Sequence, residues 1–242
     1  MNMALIEVKN LRMEYCSNEG EPTIALDGVD FKIERGEFVS IMGPSGSGKS
    51  TLLHILGMLD RQTSGKYFFD GRDSQDYSQD ELASIRNQKM GFVFQAFNLL
   101  ARTSVLENVK LPLLYSKINE KDWDKLALWA IKKVGLEHRI NHQPSQLSGG
   151  EKQRAAIARA LINNPDVIFA DEPTGNLDSK SGVIVMDTLM HLNEKEKKTI
   201  ILITHEHSTA QFAQRIIHIR DGKVEKDEQV KERATNLNGH LK

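Results

Sequence analysis

Between the apolar run Phe38 to Met42 and a helical pattern opening near Thr51 stand Gly43, Pro44, Ser45, Gly46, Ser47, Gly48, Lys49 and Ser50. No other feature constrains the fold as much as this GxxxxGK[ST] pattern with a strand before it and a helix after it. Its glycines let the backbone curl until consecutive N–H groups point at one phosphate. The following helix aims its positive end at the same point. Lys49 has the reach for β- and γ-phosphates, and the Ser50 hydroxyl is placed to ligate Mg²⁺. Such a strand–loop–helix unit belongs to an α/β fold with a mostly parallel sheet.

The rest of the chain fits that class. Ile6 to Leu11 and Val29 to Ile33 alternate apolar with polar residues, as half-exposed antiparallel strands do, whereas Phe38 to Met42, Val167 to Ala170 and Ile200 to Ile203 are apolar throughout, as strands covered on both faces are. Ile216 to Ile219 before Asp221 and Gly222 reads as a strand entering a hairpin turn. From about Gln75 to Gln146 helical patterns dominate, and Trp123, Leu126, Ala130 and Val134 fall on one helical stripe expected to pack on a core. The stretch 223–242 mixes charges and reads as a solvated tail or peripheral helix. At 242 residues with 39% apolar composition, the chain suits a single domain that needs no staples.

Several function classes are disfavoured by composition. The 32 basic and 33 acidic side chains leave a net charge of -1, which argues against coating nucleic acid or an anionic membrane. The single cysteine, Cys16, fits a reducing compartment. No apolar run approaches the roughly 20 residues of a spanning helix, and the N-terminus lacks the pattern of a signal peptide.

Polar residues at strand ends supply the chemistry. Asp171 and Glu172 end the run from Val167, at the edge where open α/β sheets bind ligands: Asp171 suits a hold on Mg²⁺ and Glu172 a general base for an attacking water. His205 follows the run Ile200 to Thr204 and reads as a γ-phosphate contact, while Gln95, after Gly91 to Phe94, is a candidate for the metal or the water. Far from the loop, Ser148 is a good N-cap and Gly149 and Gly150 leave bare amides at a helix start. That makes a second anion site, which suits a nucleotide held by another copy.

The segment Gly43–Ser50, Gln95, Leu147 to Glu151, Val167 to Glu172, Asn176 to Asp178 and His205 together resemble an ABC-transporter ATPase subunit over about residues 4–225. They look like its Walker A, Q-loop, signature, Walker B, D-loop and H-loop, and Tyr15 resembles the aromatic that stacks on adenine. The resemblance implies a P-loop NTPase of RecA-like core, with an N-terminal antiparallel β subdomain and an inserted helical subdomain at about 96–160. It implies a head-to-tail homodimer that sandwiches two ATPs, with Asp178 beside the nucleotide. Finer matches, Leu56 to Gly65, Phe97 to Leu100, Val105 to Val109 and Pro173 to Asp178, look like the subgroup serving lipoprotein release, macrolide export and FtsE-like complexes. Ala101 and Ala155 depart from the subgroup's usual proline and valine. The partner implied is an integral FtsX/MacB-like permease, with the subunit on the cytoplasmic face of the cell membrane. A soluble ABC ATPase of repair or translation is the alternative, disfavoured by a single cassette with a modest insertion. A P-loop GTPase lacks its guanine-reading segment here.

Overall fold

Strands that alternate and strands that are apolar throughout end up in different sheets. The structure, a computed structural model, describes residues 4–16 and 22–234. In chain order these form β1 (Ile6–Tyr15), β2 (Thr23–Ile33), β3 (Phe38–Met42), α1 (Lys49–Leu56), β4 (Ser64–Phe69), β5 (Arg72–Asp73), α2 (Gln79–Lys89) and β6 (Met90–Val93). There follow α3 (Val105–Lys110), α4 (Trp123–Lys133), α5 (Gly149–Leu161), β7 (Val167–Asp171), α6 (Ser179–Glu196), β8 (Thr199–Thr204), α7 (His207–Ala210), β9 (Arg215–Arg220) and β10 (Lys223–Gln229), with short 3-10 turns between several of them. They group into two units, one of residues 4–82 and 199–234, the other of residues 83–198.

In the first unit an antiparallel sheet runs in the order β2-β1-β4-β5. The alternation of β1 buries Ile6, Val8, Leu11 and Met13. The step from Val8 to Leu11 breaks the period of two, and the register with β2 shifts there around Asn10, whose φ is 47°. A second layer places β3 between β8 and β9, parallel to both. With neighbours on each side, Phe38, Val39 and Ile41 are fully buried. Parallel pairing sends all three strands out at one edge, where Met42 lies opposite Thr204 on one side and His218 on the other. Gly43 and His205 therefore leave from the same edge.

The second unit repeats that logic with β6 parallel to β7, from Met90↔Val167 to Val93↔Ala170. Phe92 and Phe169 stack at 5.3 Å between centroids. Helix α5 lies so close to β6 that a Cβ on Gly91 would stand 2.5 Å from the Ala160 carbonyl, which leaves glycine as the residue that fits. Helix α4 buries Ala127, Ala130 and Ile131. Of the expected stripe, Ala130 and Val134 are buried while Trp123 and Leu126 are only half-buried, and Ala127 and Ile131 complete the packed face.

The expected tail from residue 223 is corrected. Lys223 to Gln229 is β10, antiparallel to β9. Its charges gave no apolar period because ion pairing joins the two strands: Arg215 donates to Asp227 at 2.6 Å, and His218 Nε2 stands 3.0 Å from Glu228 Oε1. The remainder of that stretch, 235–242, lies outside the described residues.

Candidate functional site

The loop between β3 and α1 shows why its residues are what they are. A Cβ on Gly43 would stand 2.1 Å from the Ile219 carbonyl, and one on Gly48 2.4 Å from the Ala25 carbonyl, with Gly48 also at φ 102°. Glycine is therefore required at both places by neighbouring backbone as well as by any ligand. Lys49 folds over the loop, its Nζ donating to the carbonyls of Gly43 at 2.8 Å and Pro44 at 2.7 Å. Its ammonium is thus held at the loop's mouth. Pro44, Ser45, Gly46 and Ser50 are exposed, and Thr51 is half-buried. The Ser47 hydroxyl is buried without a hydrogen-bond partner, an unusual cost for a polar atom that an oxygen-rich ligand would relieve.

A cleft of about 330 Å³ beside the loop is lined by Met42, Gly43, Pro44 and Ser45 together with His205. His218 and Glu225 line it too, although no motif in the sequence marks either of them. The signal was present: His218 interrupts the otherwise apolar run of β9. Tyr15 ends β1 opposite Thr23, is 42% exposed, and stands outside that cleft with its hydroxyl 3.5 Å from Asp60.

The remaining candidates gather in the second unit. Because β6 and β7 are parallel, Gln95 and the pair Asp171 and Glu172 follow strand ends at one edge. Gln95 is tied to the segment after Glu172. Its Nε2 donates to Asn176 at 3.4 Å, Asn176 returns a bond to the Gln95 carbonyl at 3.1 Å, and a Cβ on Gly175 would lie 2.8 Å from Gln95 Nε2. Glu172 takes a left-handed φ of 45°, as do Phe97 and Asn98 at 57° and 50°. Such conformations persist where surroundings over-determine them. The clamp on Phe97 and Asn98 is Arg159 of α5, which donates to both carbonyls, at 2.9 Å to Phe97. Gln153 of the same helix reaches the Phe94 carbonyl at 3.3 Å.

Helix α5 starts as the sequence implied. Ser148 accepts from the Glu151 amide at 3.2 Å and Glu151 accepts from the Ser148 amide at 2.8 Å, a reciprocal capping box. That uses two amides of the first turn and leaves those of Gly149 and Gly150 for a ligand. Gly150 also lies against the start of α6, where a Cβ would meet the Ser181 Cβ at 2.9 Å. Asp178 caps α6, accepting from the Ser181 hydroxyl at 2.7 Å and its amide at 3.0 Å, and these bonds hold its carboxyl below the usual range. Two helix starts thus converge in this unit.

A GxxxxGK[ST] loop between the C-terminal end of a parallel strand and the start of a helix, as β3 and α1 hold it, is the form of a P-loop nucleotide-binding protein of α/β class. A family model described as ABC transporter matches residues 26–175. An uncharacterized ABC transporter ATP-binding protein of Methanocaldococcus jannaschii is 49% identical over 231 residues, covering 94% of this chain and 98% of that protein. A macrolide export ATP-binding/permease protein of Syntrophobacter fumaroxidans is 51% identical over 225 residues, 92% of this chain but 31% of the relative, so the chain spans about a third of such relatives. The archaeal cassette, solved as a dimer in a post-hydrolysis state bound to ADP and Pi, aligns with a TM-score of 0.84 at 47% identity over 93% of this chain and 99% of that one. The chain belongs to the ABC transporter family. The expected α/β cassette fold is borne out by these structures.

Proposed function

We propose that this chain is the ATP-binding and ATP-hydrolysing subunit of an ABC transporter, and that it works as a homodimer driving a separate FtsX/MacB-like membrane permease. The observation that carries this reading is the loop with Lys49 at its mouth, in a chain that aligns over 93% of its length with a cassette solved as a dimer with hydrolysis products. The named relatives are transporter proteins, which favours this reading over a soluble repair or translation ATPase. We read residues 1–242 as one cassette whose helical part, about 96–160, faces the permease.

Each residue then has a task. The amides of Gly43 to Ser50 and the buried Ser47 hydroxyl take phosphate oxygens, Lys49 shifts its ammonium from loop carbonyls to the phosphates, and His205 holds the γ-phosphate from the cleft side. Glu172 accepts the proton of the attacking water. Ser50, Gln95 and Asp171 offer hydroxyl, amide and carboxylate oxygens, a donor set that suits Mg²⁺, which would neutralise phosphate charge there. Ser148, Gly149, Gly150 and Asp178 face the nucleotide of the other copy, and Tyr15 stacks on adenine.

For the permease, the second unit offers a groove of about 350 Å³ with an apolar floor of Met90, Phe92 and Phe94 and with Arg86 and Arg159 in its lining. Leu114 and Tyr115 are 59% and 83% exposed in the same unit. Among the described residues no helix is long and apolar enough to cross a membrane, and we assign the spanning helices to the permease, with this subunit on the cytoplasmic face.

The test is Glu172→Gln. Steady-state turnover should fall by about 100-fold or more, and saturating ATP should yield a stable dimer on size exclusion. Turnover near wild type would remove Glu172 as the base, and a monomer under saturating ATP would remove the sandwich.

A further inference from the structure

The start of α5 meets two opposed demands. An acid in the first turn stabilises a helix, because the aligned peptide dipoles leave positive charge there. A phosphate approaching the same turn meets that acid as a like charge. Glu151 is this acid: its side chain is 13% exposed, with one oxygen on the Ser148 amide and the other 2.8 Å from Arg139 Nε. Burial pushes its pKa up, but the Ser148 amide and the Arg139 guanidinium outweigh that and bring it to about 2, so the carboxylate stays ionised.

Arg139 reaches Glu151 from a braced turn. Its Nη1 stands 3.1 Å from His142 Nε2, and the backbone of the turn is bonded to α3, with Leu106 donating to the Ile140 carbonyl at 3.0 Å and Val105 to the His142 carbonyl at 2.9 Å. His138 Nε2 stands farther off, 3.7 Å from Glu151, and its side chain is 60% exposed. All these residues belong to one unit.

We propose that Arg139 is a positioning residue for phosphate recognition: by neutralising Glu151 it lets the Gly149–Gly150 helix start accept the γ-phosphate of a nucleotide carried by a second copy. The inference rests on the reading of Ser148–Gly150 as the phosphate-facing motif. It separates two jobs that one carboxylate carries, since glutamine at 151 keeps an acceptor for the Ser148 amide and removes the charge.

The experiment measures the ATP concentration for half-maximal dimerisation in the Glu172→Gln protein by light scattering. Adding Arg139→Gln should raise it about tenfold or more, while Glu151→Gln alone stays within about threefold of the parent. The pair Arg139→Gln with Glu151→Gln should return to within about threefold, and so should Arg139→Lys, which keeps the cation if the neutral variant folds poorly. Binding of one fluorescent ATP analogue per monomer should be unchanged throughout. A double variant as impaired as Arg139→Gln makes Arg139 a structural prop and overturns the proposal, as does Arg139→Gln at the parental value, or Arg139→Lys as impaired as Arg139→Gln. A Glu172→Gln parent that never dimerises removes the sandwich and this inference with it; a dimerising parent with an unrescued double variant removes the inference alone.

Discussion

At the residue scale, the glycines of the phosphate loop are not equivalent. Gly46 has a φ of 79° but open space where a Cβ would go, whereas Gly48 combines φ 102° with a carbonyl 2.4 Å from that position. Gly46→Ala should therefore cost about 1 kcal/mol of stability, the price of a left-handed non-glycine. Gly48→Ala should cost about 2 kcal/mol or more, since backbone must also move. Urea melts of the two variants check the order, and equal losses would mean that the loop relaxes freely. The motif is visible in the sequence, but the reason for each glycine is not, because Ala25 and Ile219 come from distant strands. The same holds for His218 and Glu225, which reach the cleft only through the β9–β10 hairpin.

At the element scale, α5 is both a packing helix and an organiser of loops. Arg159 and Gln153 hold three carbonyls of the chain after β6, those of Phe94, Phe97 and Asn98. Replacing Arg159 with alanine should release the two left-handed residues and lower ATP turnover by about tenfold, with nucleotide affinity little changed. A KM that rises while kcat holds would place the clamp's effect on binding instead. The capping box at the other end of α5 makes a pH prediction. The Glu151 carboxyl is depressed to about 2 from an ordinary 4.5, so its stabilisation is fully present above the unfolded pKa and is lost as pH falls through the folded one. In acid denaturation, the loss between about pH 4.5 and 2 should be smaller in Glu151→Gln than in the parent. The N-cap was legible in Ser148 ahead of Gly149 and Gly150, whereas the returning bond from the Ser148 amide to Glu151 is seen in the structure. Strand β10 was not legible, because its partners are charges on a neighbouring strand and leave no period of apolar residues.

At the scale of the whole molecule, the proposed work depends on two copies. Lys49→Ala and Ser148→Arg proteins should each lack turnover, and a mixture of them should regain it. In a head-to-tail dimer of one of each, the intact loop of one copy meets the intact Gly149–Gly150 helix start of the other. A mixture as inactive as its components, under conditions where both exchange subunits, would argue against a composite site.

The sequence by itself determined the phosphate loop, the α/β class, the strand ends carrying Gln95, Asp171, Glu172 and His205, and the start of α5. All of these are written in local patterns: a run of residues of one polarity, a glycine at a fixed offset, a capping serine ahead of a helical run. The tertiary structure alone decided which backbone crowds Gly43 and Gly48, that Arg159 braces Phe97 and Asn98 while Arg139 braces Glu151, and that residues 223–229 form a strand. Those contacts join positions far apart along the chain, and a hydrogen bond or ion pair between them places no constraint on the residues in between.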